Sequence, residues 1–416
     1  MKTNSLLELG RKTKKSSLLL PALSTNTKKT ILKKMAELIK KHKNTIQETN
    51  LLDIENAKIK GLSAAMLDRL TLTPDRIKGM ADSLLNVAEL PDPVGEIIEN
   101  NTRPNGLIVQ RRRIPLGVIG VIFESRPNVT VEAASLCFYA GNGLMLRGGS
   151  EAFNSNQFLA KILKEALAFW NLENVINIVP TTERSTVDEM AQMDEVLNVI
   201  IPRGGEGLIR RVKSVATVPV IAHYKGNCHV YVDENVDIEK ARKIVINGKT
   251  QRPGVCNATE TLLVHEKIAE QFMPLIIKDL QNSNVEIRGC EKSCSYSDEI
   301  IPATDEDFDT EFLDLVLSVR IVDNLETAID HIHKYGSDHT EAIVSENRIA
   351  IEKFIQSLDS SAIMVNASTR FNDGGELGLG AEIGISTTKI HSFGPMGLRE
   401  LTTSKFVVIG DGQIRT

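Results

Sequence analysis

From residue 109 onward, short runs of apolar and β-branched residues alternate with segments of helical period, and no other feature restricts the fold so strongly. Runs at 117–123, 143–147, 175–179, 196–201 and 218–222 read as strands. Helices are expected between them at 131–140, 152–169, 182–193 and from Gly204 to about residue 215. Strands that are apolar on both faces and separated by helices belong to a parallel sheet covered on both sides. In such a sheet the ligand crevice lies beyond the strand carboxyl ends. The alternation resumes near Cys228, with strands expected at 229–232, 260–264, 316–322 and 341–344 and helices at 238–247, 268–280 and 324–334. A chain of 416 residues exceeds one ordinary core, so two α/β domains dividing near residue 225 are predicted.

The flanks differ from this repeat. Two or three helices are expected before Pro91, Pro93 and Gly95, which mark a break ahead of the polar stretch 99–105. Residues 107–112 and 404–409 read as strands that form a projecting hairpin of the kind that serves oligomers. Lys28, Lys29, Lys33, Lys34, Lys40, Lys41 and Lys43 alternate with Ile31, Met35, Leu38, Ile39 and Ile46 at helical spacing, so they are assigned to the wet face of an amphipathic helix. With a net charge of −5 they make no nucleic-acid footprint.

Other classes fall on similar grounds. No apolar run approaches the roughly 20 residues that span a bilayer, and residues 1–20 lack the apolar core and cleavage site of a secretory signal. Cys137, Cys228, Cys256, Cys290 and Cys294 are an odd, scattered set that fits reduced thiols and a cytoplasmic protein better than a disulfide framework. Residues 247–250 imitate the end of a phosphate-binding loop, but Lys243 stands where that motif requires glycine. Cys290, Cys294, His331 and His333 lack metal-ligand spacing, and no metal is expected.

Two motifs carry chemistry. Arg203-Gly204-Gly205-Glu206-Gly207 follows an apolar strand and opens a helix, a context in which backbone N–H groups face a phosphate, although a plain glycine-rich turn reads equally well. In 252–259, Pro253 and Gly254 shape a turn that presents Cys256 just before an apolar strand. A buried cysteine more often fills a core, whereas a nucleophilic one needs exposure and activation.

These segments match in combination. Residues 118–130, Ala140-Gly141-Asn142, 249–259, 365–371, 378–382 and 394–398 together resemble the aldehyde dehydrogenase superfamily and, within it, the gamma-glutamyl phosphate reductase branch, over nearly the whole chain. The resemblance implies an α/β, aldehyde-dehydrogenase-like fold. Its parts would be a Rossmann-type cofactor domain at 1–225, an α/β catalytic domain at 226–390, and a β-extension built from 105–115 and the C-terminal segment 391–416. It implies Cys256 as the catalytic thiol, Arg147 at the cofactor's adenosine ribose, Gly204 and Gly205 in the glycine turn near the cofactor, and Glu311 at the nicotinamide ribose. Arg126 and Asn128 become candidate supports for an oxyanion or phosphate, and Arg252 and Arg370 candidate phosphate partners. The superfamily's oxyanion asparagine has no fixed counterpart here, since one alignment anchor points to Arg126 and another to Glu124. His223 stands where aldehyde oxidisers carry a water-activating glutamate, and Phe393 stands where the branch has arginine.

The implied reaction is NADPH-dependent reduction of L-glutamyl 5-phosphate to the semialdehyde through a Cys256 thioester, the second step of proline biosynthesis. The missing glutamate fits a reaction in which water would waste the intermediate. A homo-oligomer and a functional link to glutamate 5-kinase are also expected. The alternatives are an oxidative dehydrogenase using His223 as base and a catalytically silent scaffold.

Overall fold

Strand 118–123 is buried at every position, which requires apolar neighbours on both faces and a partner on each edge. The computed structural model, which describes residues 3–415, supplies both. The strands are β1 (Ile97–Thr102), β2 (Ile108–Pro115), β3 (Val118–Phe123), β4 (Gly143–Gly148), β5 (Ile176–Ile178) and β6 (Val199–Arg203). They continue with β7 (Cys228–Val232), β8 (Thr259–His265), β9 (Glu286–Gly289), β10 (Ile301–Pro302), β11 (Val316–Val322), β12 (Thr340–Val344), β13 (Ala362–Val365), β14 (Ile385–Ser386), β15 (Gly394–Pro395) and β16 (Thr402–Ile409). The chain divides into two compact units. The first holds the chain up to Ala222, Gly378–Gly384 and the chain from Met396 on; the second holds His223–Leu377 and Ile385–Pro395. Residues 378–384 and the final strand thus group with the N-terminal residues.

In the first unit β3 to β6 form a parallel sheet in the order β5-β4-β3-β6. Around it lie α1 (Thr3–Ser17), α2 (Thr25–Lys41), α3 (Lys43–Ile59), α4 (Ala64–Leu70), α5 (Pro74–Glu89), α6 (Asn128–Tyr139), α7 (Phe153–Ala168), α8 (Ser185–Ala191) and α9 (Glu206–Val215). Among the described residues five helices therefore precede β1, more than the two or three expected. Leu32, Met35 and Ile39 of α2 join Met80 and Leu84 of α5, Phe138 of α6 and Ile119 of β3 in one core. Each such side chain contributes about 1.5–3 kcal/mol by burial.

Three sequence expectations are corrected here. Lys28 is not on a wet face: it is 1% exposed, with Nζ 2.9 Å from Asp92 Oδ2 and donating to Tyr139 O at 3.1 Å. Periodicity could not separate this lysine from its solvated neighbours, because the partner lies 64 residues away. The polar stretch at 99–105, to which no element was assigned, carries the greater part of β1 (Ile97–Thr102) in its first residues. Every β1 residue is exposed, so no apolar alternation announces the strand. Residues 218–222 make only an isolated bridge, Ile200↔Val220, because Pro219 has no N–H to continue a ladder. In the remaining sheet of this unit β2 lies between β1 and β16, antiparallel to both, with Arg111 opposite Phe406.

In the second unit β7 to β13 form a parallel sheet in the order β10-β9-β11-β8-β7-β12-β13. Its helices are α10 (Ile238–Thr250), α11 (Glu266–Asn282), α12 (Glu291–Cys294), α13 (Asp305–Asp309), α14 (Leu325–Tyr335) and α15 (Arg348–Ser357). Val230, Leu262, Val319 and Ala342 of adjacent strands share a core with Val245 of α10 and Phe272 and Ile276 of α11. Strands β9 and β13 were not foreseen; four residues are too few to display a period.

Candidate active site

In the first unit the predicted residues follow the carboxyl ends of β3, β4 and β6. After β3 the chain turns sharply at Ser125, whose φ is +45°, and the Ser125 hydroxyl and backbone N–H both donate to Glu151 Oε1. That turn leads through half-buried Arg126 into α6, where Asn128 Nδ2 donates to Glu132 Oε1 at 2.8 Å. After β6, Gly204 and Gly205 are exposed and Gly205 caps α9. Gly205 N–H donates to Glu124 Oε2 at 3.0 Å, and a Cβ on Gly204 would lie 2.4 Å from that oxygen. A Cβ at Gly204 would displace the carboxylate from the helix amino terminus, where the backbone N–H groups favour an anion.

Arg147, at the end of β4, is buried. Its guanidinium donates to the carbonyls of Gly148 (3.1 Å), Thr182 (3.3 Å) and Glu183 (3.3 Å), while buried Nε has no partner. Burial lowers its pKa, opposed by Glu151 and Glu124 and reinforced by the like charge of exposed Arg184. A cavity of about 270 Å³ opens beyond β5, lined by Leu6, Leu9, Val179, Pro180, Thr181 and Thr186 among others. Glu8 and Glu189 also line it, and neither Arg147 nor the glycine turn does.

In the second unit the thiol sits at the opposite end of its sheet. Cys256 lies on the loop between α10 and β8, hence before the amino end of β8. Ala258 N–H donates to Val255 O at 3.0 Å, closing the turn that Pro253 and Gly254 begin. Asn257 Nδ2 donates to Asn372 O at 3.0 Å, and Cys228 Sγ donates to the Cys256 carbonyl at 3.1 Å. The backbone at Gly226 packs so closely that a Cβ there would fall 1.9 Å from the Cys256 carbonyl oxygen. At the roots of the loop, Lys249 Nζ in α10 lies 2.6 Å from Glu260 Oε2 in β8, both fully buried. Burial pushes Glu260 up to about 7 and Lys249 down, while their mutual contact opposes both shifts.

The surroundings of Cys256 differ from those of the other cysteines. Cys256 is half-buried, whereas Cys137 is enclosed in the first unit's core and burial pushes its thiol well up. One donor atom each from His223, Cys256 and His339 lies within 4.8 Å of the other two. The two histidine rings meet edge to face, 5.4 Å between centroids. His223 Nδ1 is 3.0 Å from Ile385 O; a carbonyl only accepts, so Nδ1 carries the proton and Nε2 is left as an acceptor. His339 Nδ1 is held by Thr340 Oγ1 at 2.7 Å.

Arg370 joins this neighbourhood. Burial lowers its pKa first, then the like charge of Arg252, and Cys256 and Cys228 are close enough to act on it. Arg370 Nε donates to Gln251 Oε1 at 2.8 Å. Arg252, Arg370 and Cys256 are thus gathered in one unit, while Arg126, Asn128, Arg147, Gly204 and Gly205 belong to the other. Glu311 is half-buried on the segment before β11, where Leu313 has φ +55° and its N–H donates to Glu260 Oε1 at 3.2 Å. Phe393 is exposed, with Lys389 Nζ 5.8 Å from its ring centroid.

The residues that sequence reasoning missed are His339, Cys228 and the Lys249–Glu260 pair. His339 reaches the thiol only because the order β8-β7-β12 sets three strand beginnings side by side, and no local motif encodes that order. Of the cysteines and histidines set aside as metal ligands, His331 is structural. Burial lowers it to about 2, its Nδ1 faces Arg320 Nη1 at 3.0 Å, and its ring packs on Phe308 and Tyr335.

Comparison with known proteins completes the assignment. The profile of the aldehyde dehydrogenase family matches residues 10–292. The gamma-glutamyl phosphate reductase of Carboxydothermus hydrogenoformans is 52% identical over 413 residues, 99% of this chain and 100% of the relative. That of Enterococcus faecalis is 49% identical over 417 residues, the full length of both. The crystal structure of gamma-glutamyl phosphate reductase from Thermotoga maritima superposes with a TM-score of 0.96 at 47% identity, covering 99% of this chain and 100% of that one. A match of this extent in sequence and fold together means that the chain belongs to the aldehyde dehydrogenase family, in its gamma-glutamyl phosphate reductase branch.

Proposed function

We infer that the chain reduces L-glutamyl 5-phosphate to L-glutamate 5-semialdehyde and phosphate, with NADPH as cofactor and a thioester on Cys256. This is the second step of proline biosynthesis from glutamate. The observation that carries the reading is the placement of Cys256. It is a half-buried thiol on a loop clamped by Lys249 and Glu260, with two imidazoles beside it, in a chain about half identical to relatives named for this reaction.

The Cys256 thiolate attacks the γ-acyl carbon, the bond to the phosphate oxygen breaks, and phosphate leaves with the bonding pair. His223 Nε2, the acceptor nitrogen, is suited to receive the thiol proton. The backbone N–H of Cys256 is the first donor toward the oxyanion, and Arg252 and Arg370 bring positive charge toward the departing phosphate. The roles of Arg126 and Asn128 rest on the sequence resemblance. NADPH, when bound, supplies the hydride that takes the thioester to the aldehyde level. Gly204, Gly205, Arg147 and Glu311 are assigned to holding it, and Arg147, followed by Gly148 and Gly149, is assigned to the 2′-phosphate.

Self-association through the β1-β2-β16 sheet, a link to glutamate 5-kinase and a cytoplasmic setting belong to the same reading. Phe406 and Val408 are exposed on the edge strand β16, which favours a partner strand or surface. The decisive experiment runs the reaction backwards, following NADPH formation from the semialdehyde with and without inorganic phosphate. Strong dependence on phosphate, with an acyl phosphate or its cyclised product, supports the reading. Phosphate-independent turnover that yields glutamate overturns it in favour of an oxidative dehydrogenase.

A further inference from the structure

Among the described residues, one group of three or more cysteine, histidine or carboxylate donors comes together, and it contains the thiol proposed to be the nucleophile. His223, Cys256 and His339 come from three separate segments. Cys256 and His339 precede β8 and β12, and His223 precedes β7 between them. Their segments lead into three adjacent strands of one sheet. All three donor atoms lie within 4.8 Å of one another. A tetrahedral zinc with Zn–S of about 2.3 Å and Zn–N of about 2.0–2.1 Å sets its donors roughly 3.3–3.6 Å apart, so closure by about an ångström suffices. His223 and Cys256 are half-buried, which leaves their side chains room to make that adjustment.

The groups that touch the two imidazoles are of the kind that orient metal-binding histidines. His223 donates its Nδ1 proton to the Ile385 carbonyl, which leaves Nε2 as the acceptor, and His339 Nδ1 lies 2.7 Å from Thr340 Oγ1 and 3.7 Å from Cys228 Sγ. One thiolate and two imidazoles, with no carboxylate, form a borderline-soft set that selects zinc over magnesium or calcium. Three protein ligands leave a fourth position for water. We propose that His223, Cys256 and His339 bind one Zn²⁺ per chain. The Cys256 thiol releases its proton to solvent as the Zn–S bond forms, so a zinc-bound and an acylated Cys256 exclude each other. Zinc is then a reversible inhibitor that competes with the acyl phosphate. Binding itself does not depend on the proposed reaction; only the inhibition rests on Cys256 being the nucleophile.

The test uses the full-length protein, stripped with chelator and titrated with Co²⁺ and then Zn²⁺. One Co²⁺ per chain with a thiolate-to-cobalt charge-transfer band, displaced by one equivalent of Zn²⁺, is expected. The band should vanish in Cys256→Ser and persist in Cys290→Ser and Cys294→Ser. Loss of a ligand should cost at least the roughly 10–100-fold in affinity that loss of an outer-shell partner costs. His223→Gln is the principal variant and His339→Ala, checked for folding because His339 is buried, the second. Absence of the band, its survival in Cys256→Ser, or unchanged Zn²⁺ affinity in both folded histidine variants overturns the site. If zinc binds as described but Cys256→Ser keeps full turnover, the site stands and the catalytic reading fails.

Discussion

The two parallel sheets offer their chemistry from opposite ends. In the first unit the turns with recognition features follow the carboxyl ends of β3, β4 and β6, and they consist of glycine backbone, a helix amino terminus and arginine. In the second unit the groups proposed to react precede the amino ends of β7, β8 and β12, and they are side chains: a thiol and two imidazoles. The difference has a physical cause. Phosphate recognition uses the N–H groups of a helix that follows a strand, so it belongs at carboxyl ends. A nucleophile needs only a fixed loop and neighbours able to exchange protons, and in the second unit a clamp at the loop roots and close packing against Gly226 fix it.

The largest way to break this comparison is to remove the thiol. Cys256→Ser should lower kcat by about 10⁴-fold or more with the fold intact, because a hydroxyl is a much poorer nucleophile at neutral pH. Cys137→Ser, in the first unit's core, should leave kcat within about twofold, since a residue that only packs acts on stability rather than chemistry. Steady-state assays with thermal melts of both variants distinguish the two. Near-native turnover of Cys256→Ser would remove the second sheet's amino ends from the chemistry.

Next comes the frame beneath the thiol. Each unit buries a lysine against a carboxylate, but Lys28–Asp92 ties α2 to the segment before β1, whereas Lys249–Glu260 joins the two roots of the Cys256 loop. Lys249→Met should destabilise the protein by about 3–5 kcal/mol, because it leaves a buried carboxyl without its cation. The pH dependence has a definite sign. With Glu260 raised to about 7 in the fold, its contribution is fully present below its unfolded value and is lost as pH rises through about 7. In Lys249→Met the orphaned carboxyl holds its proton still longer, so the penalty should shrink at acid pH and grow toward neutrality. Urea denaturation at several pH values reads this directly, and a pH-independent penalty contradicts it.

The same contrast explains what the sequence disclosed. Both sheets were legible because strands such as Val118–Phe123 and Val316–Val322 are mostly buried and largely apolar. The turn that carries Cys256 was legible from Pro253 and Gly254, and the strand-to-helix setting of Gly204-Gly205 from the apolar run before it. His339 was not, since its role arises from strand order. Lys28 was misread because a buried lysine with a distant partner has the same helical spacing as a solvated one. Strand β1 was hidden because an exposed antiparallel strand needs no apolar pattern.

At the carboxyl ends of the first sheet, Arg147→Ala should lower kcat/KM with NADPH by roughly 10–100-fold, the worth of one hydrogen bond to a charged group, and change that with NADH much less. Arg147 already donates to three carbonyls, so part of any loss will reflect the loop at Thr182 and Glu183. The ratio of the two efficiencies cancels that shared part. Equal losses with both cofactors would make Arg147 a loop support and leave phosphate selection to another group.

The smallest effect is expected at His223, the residue standing where aldehyde oxidisers carry a water-activating glutamate. Its Nδ1 proton is committed to the Ile385 carbonyl, so Nε2 is free to accept a proton from the thiol or from water. These alternatives differ in magnitude. A general base for water contributes about 10²–10⁴-fold, and its removal should abolish hydrolysis of the thioester. If His223 only assists the thiol, solvent can take that proton instead, and His223→Ala should cost less than about tenfold in the phosphate-dependent direction. The measurement is NADPH formation from the semialdehyde by both proteins, with and without phosphate, together with quantification of glutamate. A loss below tenfold with phosphate, and negligible glutamate from either protein, places His223 with the thiol. A loss of 10²-fold or more, with glutamate as the wild-type product, would make the second sheet's amino ends a hydrolytic site and the missing glutamate a replaced one.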